Sequence, residues 1–150
     1  MAIVKSSVVI NVPSEEVFDF HTDTRNLPLI SPSWMKVDIL KTTGEGKGKM
    51  IELYITQFGL FKTKWIVEIA EYDRPIRITD IAHKGPFKRF RHQRDIKRIS
   101  DTSCELTDTF DYELPLGIIG KIGDAIMMKR FVEKMLRERH IKTKLVLETK

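Results

Sequence analysis

The order of hydrophobic and polar positions predicts a chain made mostly of strands. Apolar and polar residues alternate through Val4–Val12, which is typical of a strand with one buried face. Turn sequences such as "TGEGKGK" and "DRP" separate later segments of strand character. Short turns between consecutive strands favour an antiparallel meander. Six further strands are predicted: Met35–Thr42, Met50–Phe58, Thr63–Tyr72, Ile76–His83, Phe87–Ile99 and Cys104–Glu113.

Two short helices are predicted after the first strand. In "PSEEVFDF", Ser14 is a suitable N-cap, and Glu15 and Glu16 favour the positive end of the helix dipole. The next segment, "RNLPLISPSW", contains Pro28 and Pro32. These prolines limit that segment to a short helical piece or a loop.

The pattern changes after the last strand and predicts one long amphipathic helix. From Leu116 onward, apolar residues recur at helical spacing over about 30 residues. We expect this helix to bury its apolar stripe against the sheet. The stripe consists of Ile119, Ile122, Ile126, Met128, Phe131, Val132, Met135 and Leu136.

These elements predict a single α+β domain over residues 1–150. A meander of about six to seven strands twists and curls, and the long C-terminal helix packs in its concave face. A curved sheet that grips a single helix seldom closes without leaving a space between them. We expect the function to reside in that space.

Three ionisable residues interrupt the apolar face of the predicted hairpin Phe87–Glu113. Alternation places His92 and Arg94 inward on one strand and Asp108 inward on the next. One register sets Arg94 opposite Asp108, and a shift of two residues sets His92 there. In either register a cation and an anion can meet on the inner face. The cluster is then either an ion pair that fixes the sheet or the polar lining of a mostly apolar pocket.

Composition and charge narrow the possible surroundings and partners. The 150-residue chain has a net charge of +5 and a single cysteine, Cys104. No apolar run is long enough to span a bilayer, so we expect a cytoplasmic protein. The charge favours anionic partners, and the basic face of Arg89, Arg91 and Lys97 allows transient contact with an anionic membrane. That face lacks an aromatic platform, so we do not expect nucleic acid as a partner.

Several segments resemble those of the SRPBCC superfamily, in the same order along the chain. They are "INVPSEEVFDF", "NLPLISP", "GPFKRFRHQRDI", "DTFDYELPLGIIGKIG" and "MLRERH". The sequence is most similar to stand-alone bacterial SRPBCC proteins with a START-like helix-grip fold. Phe90 stands where many of these relatives have tryptophan, so the resemblance does not transfer the identity of a substrate.

The resemblance implies a deep apolar cavity that holds a hydrophobic small molecule, such as a lipid, a sterol-like molecule or a polyketide. We expect its entrance near "RNLPLISPSW" and "LPLGIIGKIG", where prolines and glycines interrupt regular structure. The candidate ligand-binding residues combine the inward strand positions with the helix stripe. They are Trp65, Phe90, His92, Arg94, Asp108, Phe110, Tyr112, Met128, Phe131 and Met135.

Two classes of function follow. In the first, the protein binds and transports or sequesters the hydrophobic molecule. In the second, it is an enzyme of the cyclase, aromatase or dehydratase kind that uses His92 as acid or base, with Asp108 as its partner. We expect neither a cofactor nor a metal, because "TGEGKGKM" and "GIIGKIG" lack nucleotide-binding spacing and the four histidines lack metal-ligand spacing. We favour the carrier.

Overall fold

A computed structural model describes residues 2–115 and 122–149. It contains a long C-terminal helix, two short helices, a 3₁₀ turn at Thr24–Asn26 and a sheet of seven strands. The helices are α1 (Ser14–Thr22), α2 (Leu27–Ile30) and α3 (Ile122–Glu148). The strands are β1 (Ala2–Ile10), β2 (Met35–Thr43), β3 (Met50–Gln57), β4 (Phe61–Asp73), β5 (Arg77–Lys84), β6 (Arg89–Ser100) and β7 (Ser103–Glu113).

The sheet is antiparallel throughout, in the order β1-β7-β6-β5-β4-β3-β2. Strands β2 to β7 form the predicted meander, and β1 returns to pair with β7 from Ala2–Tyr112 to Ile10–Cys104. Register shifts interrupt the pairings β2–β3, β4–β5 and β6–β7. Such bulges increase the local twist, which curls the sheet around α3. This is the helix-grip architecture that the resemblance implies.

The burial of β7 follows the predicted alternation at every residue. Its inward side chains, Cys104, Leu106, Asp108, Phe110 and Tyr112, are buried, whereas the residues between them are only partly so. On β6 the inward His92, Arg94 and Ile96 are buried in the same way. The three ionisable residues therefore lie on the inner face, as predicted.

Helix α1 begins one residue away from the predicted cap. Pro13 is the N-cap, and its carbonyl accepts hydrogen bonds from the backbone N–H groups of Glu16 and Val17. The expectation that Ser14 caps the helix is wrong, because Ser14 is its first residue and no side chain caps it. The proline ring fixes φ near the helical value, which pre-organises this start. Glu15 and Glu16 lie in the first turn, as predicted.

Helix α3 spans 27 residues and packs against β1 and α2. Residues 116–121, where the prediction began the helix, lie outside the described part of the chain. The assignment of Ile126 to the buried stripe is wrong, because that side chain is 51% exposed. The stripe instead runs toward the C-terminus through Val132, Met135, Leu136, His140, Thr143 and Leu147.

The core is solid at one end of the sheet and open towards the other. At the solid end, Phe18, Ile78, Leu106 and Leu147 are almost completely buried and pack together. Burial of each such side chain contributes about 1.5–3 kcal/mol. Further along, one cluster lies under α3 and another around Trp65 on β4. The space between these clusters is the candidate site.

Candidate ligand cavity

A cavity of about 160 Å³ lies between the inner face of the sheet, helix α3 and the segment of short helices. Most of its wall is apolar, because strands β2, β3, β4, β6 and β7 each contribute inward hydrophobic or aromatic side chains, whereas β5 contributes Asp80. The rings of Trp65, Phe90 and Phe110 meet edge to face, with centroids 5.0–5.1 Å apart. A space walled in this way suits an apolar molecule. Its strand residues include Val37, Leu53, Trp65, Ile69, Phe90 and Phe110.

The structure brings seven of the ten predicted ligand-binding residues to the cavity wall. Tyr112 and Met128 instead pack in the hydrophobic cluster under α3, and Asp108 lies behind His92. Contact between any of these residues and a ligand stays a prediction. The seven wall residues are Trp65, Phe90, His92, Arg94, Phe110, Phe131 and Met135.

Asp108 is the centre of a buried polar network behind the cavity. Its Oδ1 atom accepts a hydrogen bond of 2.5 Å from His92 Nε2, and its Oδ2 atom accepts one from His140 Nε2 on α3. A further hydrogen bond joins His140 Nδ1 to the Ser6 hydroxyl on β1 at 3.3 Å. The network therefore ties together the helix, the edge strand and the hairpin.

The register of the hairpin sets Arg94 opposite Asp108, yet these two residues do not pair with each other. Diagonal neighbours on one face of a sheet lie within reach of long side chains, and Asp108 bonds diagonally to His92. Arg94 turns to the other side, where its Nη2 donates to Asp80 Oδ2 on β5 at 2.6 Å. Of the two predicted partners for Asp108, the structure selects His92.

The network fixes the protonation states near neutral pH. Burial, followed by the charge of Arg94, lowers the pKa of His92 to about 4, although Asp108 acts in the opposite direction. Burial alone would raise the pKa of the Asp108 carboxyl, but hydrogen bonds from His140 and His92 hold it well below its ordinary value. Asp108 is therefore a carboxylate, and His92 is a neutral imidazole that donates Nε2–H to it.

This arrangement defines what His92 can do chemically. Because Nε2 is engaged by Asp108, Nδ1 is the nitrogen left for a ligand, as acceptor or base. The ring also packs edge to face on Phe110, with centroids 4.3 Å apart, which fixes its orientation. A pKa of about 4 makes the ring a weak base. It therefore suits acceptance of a hydrogen bond better than removal of a proton.

Gln57 and the segment Thr22–Thr24 line the cavity and were not predicted to do so. Four further polar residues, all near the buried network, were also missed at the level of sequence. Asp80, His21 and Arg139 line the cavity, and His140 completes the network behind it. Two of them carried a readable signal. Asp80 alternates with the inward Ile78 on β5, and His140 follows Leu136 by four residues on the buried stripe of α3. The side chains of His21 and Arg139 reach the cavity because α1 and α3 pack against the sheet, and that packing could not be predicted from local sequence.

His21 reaches the cavity from the end of α1. Its Nδ1–H donates to the Val17 carbonyl at 2.9 Å, so its Nε2 is an acceptor. Burial lowers the pKa of His21 to about 3, and the charge of Arg94 acts in the same direction. Both histidines on the cavity wall are therefore uncharged near neutral pH.

One of the two segments expected at the entrance borders the cavity. Asn26, Leu27, Ile30 and Ser31 line it, and Trp34 stacks on Phe58 of the β3–β4 turn, with centroids 5.3 Å apart. Most of the second segment, residues 116–121, lies outside the described residues. The position of the entrance stays a prediction.

The part of the chain that the structure describes contains neither a cluster of metal ligands nor a helix that could span a membrane. No group of three or more histidine, cysteine, aspartate or glutamate side chains there could hold a metal ion. Within the same ranges, no helix combines the length and the apolar character that crossing a bilayer requires.

Comparison with known proteins decides the family. No curated protein matches the sequence. Residues 10–136 match the protein family described as polyketide cyclase/dehydrase and lipid transport. The chain belongs to this SRPBCC family. The match covers strands β2 to β7, the short helices and the first half of α3.

Solved structures share the fold over nearly the whole length of the chain. The Zhui aromatase/cyclase from Streptomyces sp. R1128 has a TM-score of 0.79 at 19% identity, over 98% of this chain and 93% of its own. A START superfamily protein from Mycobacterium smegmatis has a TM-score of 0.75 at 16% identity, over 98% and 97%. A protein from Thermus thermophilus has a TM-score of 0.74 at 19% identity, over 97% and 99%. These likenesses establish the helix-grip fold.

Proposed function

We propose that this SRPBCC protein binds a hydrophobic small molecule in the cavity and transports or sequesters it without converting it. The observation that carries the proposal is the cavity of about 160 Å³, whose wall is mostly apolar and aromatic. Well-packed interiors leave few voids of that size, so a space of this kind suits an occupant. Membership of a family described by both cyclases and lipid transport is compatible with such an occupant.

The state of His92 favours binding over turnover. A cyclase needs a base whose pKa lies near the working pH, whereas burial lowers the pKa of His92 to about 4. Tyr112, whose hydroxyl would be a second group able to donate a proton, packs away from the cavity, and burial raises its pKa. Neither residue is tuned for proton transfer near neutral pH.

A cyclase-type or dehydratase-type enzyme is the second candidate function, and one observation favours it. Asp108 accepts the Nε2–H of His92, and this bond orients the imidazole, whose Nδ1 makes no hydrogen bond to the described residues. An oriented imidazole of this kind is the usual arrangement for a general base. In that case His92 would remove or deliver a proton at a bound carbonyl compound.

The co-purifying molecule tests the proposal and separates the two candidates. The freshly purified protein is examined by native mass spectrometry, and its solvent extract is analysed for hydrophobic compounds. We expect one bound hydrophobic molecule per chain, weaker binding by His92→Ala, and no product from either protein. Conversion of the extracted molecule by the wild type, lost in His92→Ala, would make the protein an enzyme.

We also propose that the protein exchanges its ligand at an anionic membrane. The turn between β3 and β4, with the first residue of β4, presents a hydrophobic tip formed by Phe58, Leu60 and Phe61, which are 60–74% exposed. Lys62 follows the tip directly, and the whole chain carries a net charge of +5. Apolar residues beside lysines match the acyl chains and phosphates of an anionic bilayer.

The basic face of β6 offers less to a membrane than its sequence indicates. Arg89 pairs with Asp111 at 2.8 Å, and Arg91 pairs with Glu71 at 2.6 Å. These carboxylates already neutralise the arginines that face outward. The hydrophobic tip, which lies beside the cavity residues Gln57 and Phe131, is the better candidate for membrane contact.

A further inference from the structure

The cavity has one polar end within its apolar wall. Arg94 and Asp80 project there from the sheet, and Arg139 projects from α3. The neutral rings of His21 and His92 complete this end of the wall. Elsewhere the lining is mostly apolar, and its other polar residues belong to the segment Thr22–Asn26, to Ser31 and to Gln57. A ligand that fills the cavity therefore meets the two arginines at one end and a mainly hydrocarbon wall along the sheet.

The ion pair between Arg94 and Asp80 is incomplete. Arg94 is only 6% exposed, yet its Nε–H has no hydrogen-bond partner among the described residues. The Oδ1 atom of Asp80 is likewise buried without a partner in that part of the chain. A buried donor left unpaired is destabilising, so a ligand atom that accepts a hydrogen bond from Arg94 Nε would stabilise the complex.

Arg139 is the cation whose donors are most available. Its interactions with Asp108 and Asp80 act through space, without a hydrogen bond. Asp108 already accepts from two histidines, and Asp80 already binds Arg94. The planar guanidinium keeps its charge even where burial lowers its pKa, as it does here. An anion that enters the cavity would complete its coordination.

We propose that the ligand is a hydrophobic carboxylic acid, with its carboxylate on Arg139 and on the Nε–H of Arg94. Guanidinium groups bind carboxylates through two parallel hydrogen bonds, which neither an alcohol nor an ester reproduces. Asp80 largely neutralises Arg94, so most of the electrostatic attraction comes from Arg139. The apolar body then lies against Leu53, Trp65, Phe90 and Phe110. This inference rests on the proposed function, because it specifies the molecule that the cavity holds.

Competition against a neutral dye tests the inference. Four compounds are tested near neutral pH for their ability to displace bound Nile red. Decanoic acid, decanol and methyl decanoate share an aliphatic body and differ in the head group, and 2-naphthoic acid carries the carboxylate on an aromatic body. We expect the acid to bind at least about tenfold more tightly than decanol or the ester, a difference of about 1.4 kcal/mol. The relative affinities of decanoic and 2-naphthoic acid show whether the body is aliphatic or aromatic.

Two variants of α3 locate the effect. Arg139→Gln should abolish the preference for decanoic acid over decanol. Arg139→Lys keeps the charge but loses the planar fork, so it should retain part of the preference. Arg137→Gln is the matched control, because Arg137 lies on the exposed side of the same helix. Thermal unfolding of each variant confirms that it is folded.

The outcomes separate the inference from the function on which it rests. If decanol binds as tightly as decanoic acid, or if Arg139→Gln keeps the preference, the carboxylate site is wrong while hydrophobic binding stands. If the dye does not bind, or if none of the four compounds displaces it, the proposed function and the inference both fail.

Discussion

Asp108 holds the polar network together at the scale of single residues. It is 4% exposed and accepts hydrogen bonds from His92 and from His140. A carboxylate with two such donors is satisfied, but each donor depends on it. Removal of this one side chain therefore disturbs the sheet and the helix together.

The first prediction concerns this carboxylate. Asp108→Ala should lower the free energy of unfolding by about 3 kcal/mol, because two buried imidazoles lose their acceptor. For a chain of this length, that loss corresponds to a fall in Tm of roughly 6–12 °C. Asp101→Ala is the control, because the Asp101 side chain is 89% exposed and its removal should change Tm very little. A similar, small shift for both variants would place Asp108 in water.

The second prediction concerns the effect of pH on stability. The pKa of His92 is about 4 in the folded protein, compared with an ordinary value of 6.5. Between pH 4 and pH 6.5 the unfolded chain therefore binds a proton at His92 that the folded protein does not bind. Stability should therefore fall as the pH is lowered from 6.5 to 4, by at most about 1.4 kcal/mol per pH unit for this histidine.

Urea unfolding of the wild type and of His92→Gln across that window measures the effect. The wild type should lose more stability than His92→Gln, because glutamine donates to Asp108 without taking up a proton. The pKa of His21 is also lowered, to about 3, so His21 adds the same dependence of unfolding free energy on pH to both proteins. A wild type that gains stability on acidification, relative to the variant, would mean that His92 is an imidazolium paired with Asp108.

At the scale of elements, the β6–β7 hairpin was predicted from sequence and helix α3 only in part. Strict alternation in Ser103–Glu113 was sufficient to place Asp108 on the inner face. The choice between His92 and Arg94 was not readable, because it depends on Asp80 of β5, which draws Arg94 away. Local patterns do not show which strand a long side chain reaches.

The role of α3 in the site depends on contacts far apart in sequence. His140 meets Asp108 and Ser6 only when the helix docks on β7 and β1. Its position on the stripe was readable from helical spacing, but its partner was not. The exposure of Ile126 also depends on helix docking, because the direction in which α3 crosses the sheet decides which of its turns lie beyond the sheet and face solvent.

The third prediction belongs to the β3–β4 turn. The wild type should sediment with vesicles that contain phosphatidylglycerol and not with pure phosphatidylcholine, because the net charge of +5 favours anionic lipid. The double variant Leu60→Ser/Phe61→Ser removes two exposed apolar side chains of the hydrophobic tip and should bind at least about fivefold more weakly.

Ile99→Ser is the control for the membrane experiment, because Ile99 is 56% exposed at the far end of β6. Its binding to the anionic vesicles should equal that of the wild type. Equal binding by all three proteins would place membrane contact elsewhere on the surface. Equal binding of the wild type to both kinds of vesicle would show that its positive charge does not contribute to membrane binding.

At the scale of the whole molecule, the fold combines a rigid end and an open end. The solid cluster around Phe18 and Leu106 anchors α1 and the C-terminal part of α3. Phe20, Ile30 and Ile69 of that cluster form part of the cavity wall, and the buried network of Asp108 lies beside them. Packing energy is concentrated in this cluster, which allows the fold to tolerate an interior space beside it.

The most direct test of the account asks whether a hydrophobic molecule binds inside the fold. Val67 lines the cavity, whereas Val9 is 44% exposed on β1, so Val67→Phe and Val9→Phe add the same group inside and outside. Nile red fluorescence is titrated with wild type and both variants, after thermal unfolding shows that each is folded. We predict saturable binding of one dye per chain, at least about tenfold weaker in Val67→Phe and unchanged in Val9→Phe. Undiminished binding by folded Val67→Phe would contradict the account.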